Sequence, residues 1–105
     1  MSERLVFVFM NEYNFRVEPG FVVAEKGDHL VFYNLTGFSV TLKFKPPLYT
    51  GNLTIAGGGH AGFEVPNNPT ELPPGFYSYQ AAVALSGDRE LQALGGSGPG
   101  VIIKP

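Results

Sequence analysis

The stretch Gly75-Phe-Tyr-Ser-Tyr-Gln-Ala-Ala-Val-Ala-Leu85 decides how the rest of the chain is read. It follows Pro73-Pro74, a pair that halts any preceding element, and it sets Phe76, Tyr77, Tyr79 and Val83 into a run of strand-favouring residues. On either side of it, runs of four to eight residues rich in Val, Phe, Tyr, Leu and Ile are separated by small groups of glycine and proline. That punctuation is the pattern of many short strands. It predicts strands at Leu5–Met10, Asn14–Val17, Phe21–Glu25, His29–Asn34, Val40–Lys45, Leu53–Ala56, Gly62–Val65, Phe76–Leu85 and Val101–Lys104.

Alternation sharpens two of these. Val40, Leu42 and Phe44 fall on one face with Thr41, Lys43 and Lys45 on the other, as a period of two requires. In His29–Asn34, Leu30 and Phe32 share a face opposite Val31 and Tyr33, so one of the two faces is core. Lys26-Gly27-Asp28 just before it is a tight-turn signal, Gly tolerating positive φ and Asp bonding its own backbone. Arg89–Leu94 reads two ways: a short helix capped by Asp88 and closed by Gly95, or the second arm of a hairpin turning at Ser86-Gly87-Asp88. Nine short strands with hardly any helical periodicity imply two packed sheets or a small barrel.

Bulk properties narrow the function classes. A chain of 105 residues makes one domain, and with 44% hydrophobic and 15% charged residues it buries a core rather than remaining disordered. Seven basic against nine acidic residues, clustered nowhere, give no electrostatic footprint for nucleic acid or an anionic membrane. No apolar run approaches the ~20 residues of a membrane-crossing helix. The absence of cysteine excludes disulfides, thiolate nucleophiles and thiolate-bound metals. Leu5–Met10 is too short for a secretory core. The expected compartment is therefore extracytoplasmic, periplasmic or secreted, if a signal peptide has been removed, and cytoplasmic otherwise.

Gly27-Asp-His-Leu-Val-Phe-Tyr-Asn-Leu-Thr-Gly-Phe-Ser-Val-Thr-Leu-Lys-Phe44 resembles a strand-loop-strand of the cupredoxins, the family of plastocyanin. There a Gly-Asp turn leads into a strand that an Asn ends, and the loop beyond carries a copper-binding His. Gly75-Phe-Tyr-Ser-Tyr79 resembles the strand that delivers the copper Cys, and Gly98-Pro-Gly-Val-Ile-Ile-Lys104 is similar to the terminal strand after the copper Met. The resemblance spans about Arg16 to Lys104 and implies a Greek-key β-sandwich of cupredoxin type, with about 7–9 strands.

The ligands do not follow. The resemblance puts Val40 at the first His position, Ala81 at the Cys position and Ala84 at the second His position, and the Met position falls near Ser97–Pro99. A blue-copper site needs two imidazoles and a thiolate with a weak axial ligand. The small and branched apolar replacements imply a filled, dry core with no cofactor. In cupredoxins the ligand loops form an apolar face on which partners dock. The expected partner surface therefore comprises Leu35, Phe38, Val40, Ala81, Ala84 and Pro99, within a loop end built from Leu35–Val40 and Ala81–Pro99.

Other constellations carry less. His29 and His60 could share a copper or zinc ion with Asp28 or Glu64 completing the shell, against the simpler reading of a strand-end and a loop histidine. Gly57-Gly-Gly-His60 and Gly95-Gly-Ser-Gly-Pro-Gly100 lack the strand, helix and Lys of a phosphate cradle, and read as turns. Ser39, Ser78, Ser86 and Ser97 lack a nucleophile elbow, and Glu64 with Glu71 is a carboxylate pair that nothing favours. Leu48, Tyr49, Tyr13 and Phe38 stand out as apolar side chains in or beside turns. The expected function is a binding or structural module and not an enzyme. A protein partner is one occupant of its surface; a second copy, paired through Leu5–Met10 as an uncovered edge strand, is another.

Overall fold

The structure is a computed structural model that describes residues 2–11, 14–67, 72–84, 90–92 and 99–104. It is all-β among these residues, with eleven strands: β1 Glu3–Asn11, β2 Asn14–Glu18, β3 Phe21–Ala24, β4 His29–Asn34, β5 Val40–Lys43, β6 Asn52–Ile55, β7 His60–Glu64, β8 Gly75–Ser78, β9 Gln80–Ala84, β10 Glu90–Gln92 and β11 Gly100–Ile103. They form sheets of order β2-β1-β4-β7, β10-β9-β5-β6 and β3-β11-β8. Two pairings are parallel, β1 with β4 and β11 with β3; the rest are antiparallel. No described helix is long and apolar enough to cross a membrane.

The sequence anticipates one strand over Phe76–Leu85, and the chain makes two there. Burial alternates from Tyr77 through Tyr79 to Ala81, yet the hydrogen-bonding partner changes at Tyr79. β8 pairs with β11, and β9 pairs with β5 and β10. Tyr79 itself donates its N–H to the Pro99 carbonyl at 3.0 Å, so this segment joins the β10-β9-β5-β6 and β3-β11-β8 sheets into one layer facing the β2-β1-β4-β7 sheet. Within the span read two ways, Glu90–Gln92 is a strand, paired with Ala82–Ala84 of β9, and the rest of it lies outside the described residues. The turn read at Ser86–Asp88 lies outside the described residues.

β1 is paired with β4 along Glu3–Val8 and with β2 along Phe7–Asn11, so its apolar run has a strand on both sides at Phe7–Val8 and on one side elsewhere. Leu5–Met10 is therefore not the wholly uncovered edge strand expected from the sequence.

Between the layers lies the core. Val6, Val8, Leu30, Phe32, Leu42, Val83, Val101 and Ile103 are at most 1% exposed, each contributing roughly 1.5–3 kcal/mol by leaving water. Leu48 and Tyr49, read from the sequence as turn residues, belong here as well. Leu48 is buried, and the Tyr49 ring stacks on Phe63 at 4.5 Å and meets Phe44 edge-on at 5.7 Å. Their loop folds back over an aromatic cluster in which Phe32, Phe44, Phe63 and Tyr79 pack at centroid distances of 5.1–6.3 Å. Tyr13 lies outside the described residues.

The Lys26–Asp28 turn forms as anticipated. Gly27 has φ +88°, Asp28 N–H donates to the Glu25 carbonyl, and the Asp28 carboxylate accepts from the N–H of Glu25 at 2.9 Å and of Ser2 at 3.0 Å. Arg4 Nε adds a third bond at 3.1 Å. Donation from the Glu25 N–H chiefly, then from Ser2 and Arg4, holds the Asp28 carboxyl below the ordinary carboxylate value, against the opposing effect of its burial. Asp28 therefore clips the N-terminal strand onto the β3–β4 turn.

Candidate functional site

One end of the sandwich is organised by Asn34, the last residue of β4. Alternation turns it inward behind Leu30 and Phe32, and it is fully buried. A buried amide needs partners for both its oxygen and its NH2 group. Here Nδ2 donates to the carbonyls of Phe38 at 2.7 Å and Ile55 at 2.8 Å, and Oδ1 accepts the Thr36 N–H at 2.9 Å. The Thr36 hydroxyl, 6% exposed, has one proton to share between Asn34 Oδ1 at 2.7 Å and the Phe38 carbonyl at 2.9 Å, and it accepts the Phe38 N–H. Main-chain bonds complete the set: Asn34 N–H to Gly59, Gly58 N–H to Asn34 and Leu35 N–H to Val8.

This knot fixes the loop between β4 and β5. A second loop braces it, because a Cβ on Gly57 would stand 2.9 Å from the Gly37 carbonyl carbon and 3.0 Å from the Thr36 oxygen. The glycine run 57–59 is thus a turn pressed backbone to backbone against residues 36–38. The large side chains that the loop presents outward are apolar: Leu35 is 61% exposed and Phe38 41%. No Asp, Glu, Lys or Arg occurs anywhere in 33–42 or 53–63.

The remaining members of the expected partner surface separate. Val40 and Ala81 belong to the core at 0% and 1% exposure, Val40 opposite Ile55 and Val83, and Ala81 opposite Leu42. A partner cannot touch them without opening the sheet. Ala84 is exposed at this end, its N–H donated to the Ser39 carbonyl, so it is not the core filler that the resemblance implied. Pro99 is buried beside Tyr79, five strand positions or roughly 15 Å from Ala84, and does not join the loop end. Residues 85–89 and 93–98 of the expected surface lie outside the described residues. Leu35 and Phe38, with Ala84 beside them, are what remains. Sequence reasoning missed Asn34 and Thr36 as the residues that hold them; the Asn-x-Thr spacing at a strand end, a side-chain turn signal, was the available clue.

The two histidines do not meet. In register, His60 lies opposite Tyr33 and His29 opposite Glu64, which puts them four positions apart along β4, roughly 13 Å. The His60 ring stacks on Tyr33 at 5.3 Å, and Tyr33 on Phe7 at 5.6 Å. Asp28 is engaged by its three donors. Although Glu3, His29 and Glu64 occupy neighbouring strand positions, no group of three His, Asp or Glu among the described residues is placed to hold a metal ion. Glu71, the other half of the carboxylate pair, is outside them.

One buried polar atom stands alone among the described residues. The Tyr79 hydroxyl has no hydrogen-bond partner, and burial pushes its phenol well above the ordinary tyrosine value.

No protein-family model matches the chain, and no curated protein matches it in sequence. Solved structures do. A pseudoazurin from Sinorhizobium meliloti superposes with a TM-score of 0.58 at 19% identity, covering all of this chain and 76% of that one. The N-terminal domain of phage TP901-1 ORF48 superposes with a TM-score of 0.51 at 12% identity over the whole of both chains. The chain thus has a cupredoxin-like β-sandwich fold.

Proposed function

We propose that this domain is a metal-free recognition module that binds a protein partner through the apolar loop end, with Leu35 and Phe38 as its contact residues. One observation carries the reading: two exposed apolar side chains sit on a loop held by a fully satisfied buried knot, and neither that loop nor the glycine turn braced against it carries a formal charge. A loop fixed before binding loses little conformational entropy when it docks. Apolar contact without charges gives an affinity that is nearly independent of salt. The lack of any cysteine, and apolar residues where the resemblance expects imidazoles, favour recognition over copper electron transfer. Nothing in the site's geometry favours an enzyme.

The test compares the domain with Leu35→Ser and Phe38→Ser as baits. Both residues are exposed, so each change alters stability by only about 0.5 kcal/mol. A partner retained by the native domain and lost by both variants, at low and at moderate salt alike, supports the proposal. Equal capture by all three baits would refute it. Metal analysis of the native protein is the second arm: a stoichiometric, tightly held metal defeats the metal-free reading.

A further inference from the structure

A second apolar surface lies away from the loop end, on the outer face of β3-β11-β8. Alternation turns Phe21 and Val23 of β3, Ile102 of β11 and Phe76 of β8 outward, at 53%, 41%, 38% and 49% exposure. They account for half of the exposed large hydrophobic side chains among the described residues. The face is also preformed. Gly100 is followed across the sheet by the Phe76 ring, which lies where a Cβ at Gly100 would be and packs edge-on against Phe21 at 5.5 Å. At the other end of the same face, Glu25 and Lys104 pair at 3.7 Å with both side chains at least half exposed.

We propose that this face seats the same face of a second copy of the chain, about a two-fold axis running along the strands between β3 and β11. The register makes the surface self-complementary about that axis. β3 and β11 are parallel neighbours with Phe21 opposite Gly100 and Val23 opposite Ile102. Rotation about a line between them lays each strand over the other's counterpart without reversing direction. Val23 then covers Ile102 of the second copy, and Phe21 covers its Gly100 and the aromatic ring lying there. Glu25 meets Lys104 of the second copy while Lys104 meets its Glu25. The four charges alternate in sign, so every ion gains an opposite neighbour, and a network of this kind is worth more than an isolated surface pair.

Size sets the strength. With roughly 150–250 Å² per aromatic side chain, the two half-exposed rings offer about 150–250 Å² together, and the aliphatic pair less than that. This is short of the ~800 Å² per partner of a standard interface, so the dimer is weak and concentration-dependent, with a dissociation constant of roughly 10 μM to 1 mM. The proposal is independent of loop-end recognition, which uses another surface.

Sedimentation velocity on the full chain from about 10 μM to about 1 mM tests it. The native protein's weight-average mass should climb toward that of a dimer. Val23→Lys, on an exposed position that tolerates the change, should weaken association roughly tenfold or more by placing two like charges at the centre. Lys104→Glu should weaken it about threefold or more, and Glu25→Lys combined with Lys104→Glu should restore it to within about twofold. Phe38→Ala should leave it unchanged. A native protein that stays monomeric throughout, or a dimer indifferent to Val23→Lys, overturns the proposal. So does a dimer abolished by Phe38→Ala, which would move self-association to the loop end.

Discussion

Asn34→Ala tests whether the loop end is held by its polar knot or only by the sandwich beneath it. The substitution removes a side chain with no exposed surface and withdraws partners from the Ile55 carbonyl, the Phe38 carbonyl and the Thr36 N–H. The bonds to Ile55 and Thr36 are fully buried, and each buried group left without a partner costs about 1–3 kcal/mol. The Phe38 carbonyl, partly exposed, recovers water and adds little. The expected loss is therefore about 3–5 kcal/mol, equivalent at this chain length to a fall of about 15–30 °C in midpoint temperature. Urea denaturation followed by circular dichroism measures the stability, and limited proteolysis within residues 35–39 measures loop opening. Leu35 and Phe38 keep their side chains, so a partner that binds the fixed loop loses affinity for this variant even under conditions where it is folded. A loss below about 1 kcal/mol with an unchanged cleavage rate would refute the reasoning, because the loop would then owe its shape to the backbone alone.

Two further outcomes follow from single buried groups. Tyr79→Phe removes a hydroxyl that is buried without a partner, so it should leave stability unchanged or raise it by about 1 kcal/mol; a loss above that in thermal denaturation would mean that the hydroxyl is bonded. Asp28 has a folded pKa below its unfolded value of about 3.9, so its stabilising contribution is complete above that value and disappears as pH falls through the folded one. Asp28→Asn should lower stability by about 1–3 kcal/mol at neutral pH, where one of its three donors meets an NH2 group, and flatten the native protein's acid loss below about pH 4. Urea midpoints measured from pH 2 to 7 check this, and parallel curves for the two proteins would contradict it.

The strands were legible where local pattern and burial coincide. Leu30, Phe32 and Asn34 alternate with Val31 and Tyr33 as the sequence shows, and Gly27 marks its turn through a conformation that only glycine adopts readily. The break at Tyr79 was not legible, because side-chain alternation continues through it and only the hydrogen-bonding neighbour changes. Pairing with a strand distant in sequence leaves no local mark. Leu48 and Tyr49 misled for the converse reason: turn chemistry around Pro46-Pro47 says that the chain reverses, but not which surface the reversal folds onto. At the candidate site, Leu35 and Phe38 were legible as apolar residues in a loop, whereas Val40, Ala81 and Pro99 proved to be beneath the surface, and the burial of Asn34 depends on the second layer.

β11 lies between β3 and β8, with Gly100 opposite Phe21, and this placement has a consequence in time. A ribosome adding about 5–20 residues per second takes roughly 4–16 s to pass from Phe21 to Gly100. Through that interval β3 carries Phe21 and Val23 with its inner hydrogen-bonding edge vacant, able to pair with other nascent chains. The parallel register with β11 must then be found across most of the sequence, a slow class of closure. Expression yield and solubility of this domain should therefore respond to translation speed and temperature more than its folded stability would suggest, and substitutions that blunt β3 should improve both without altering the native fold.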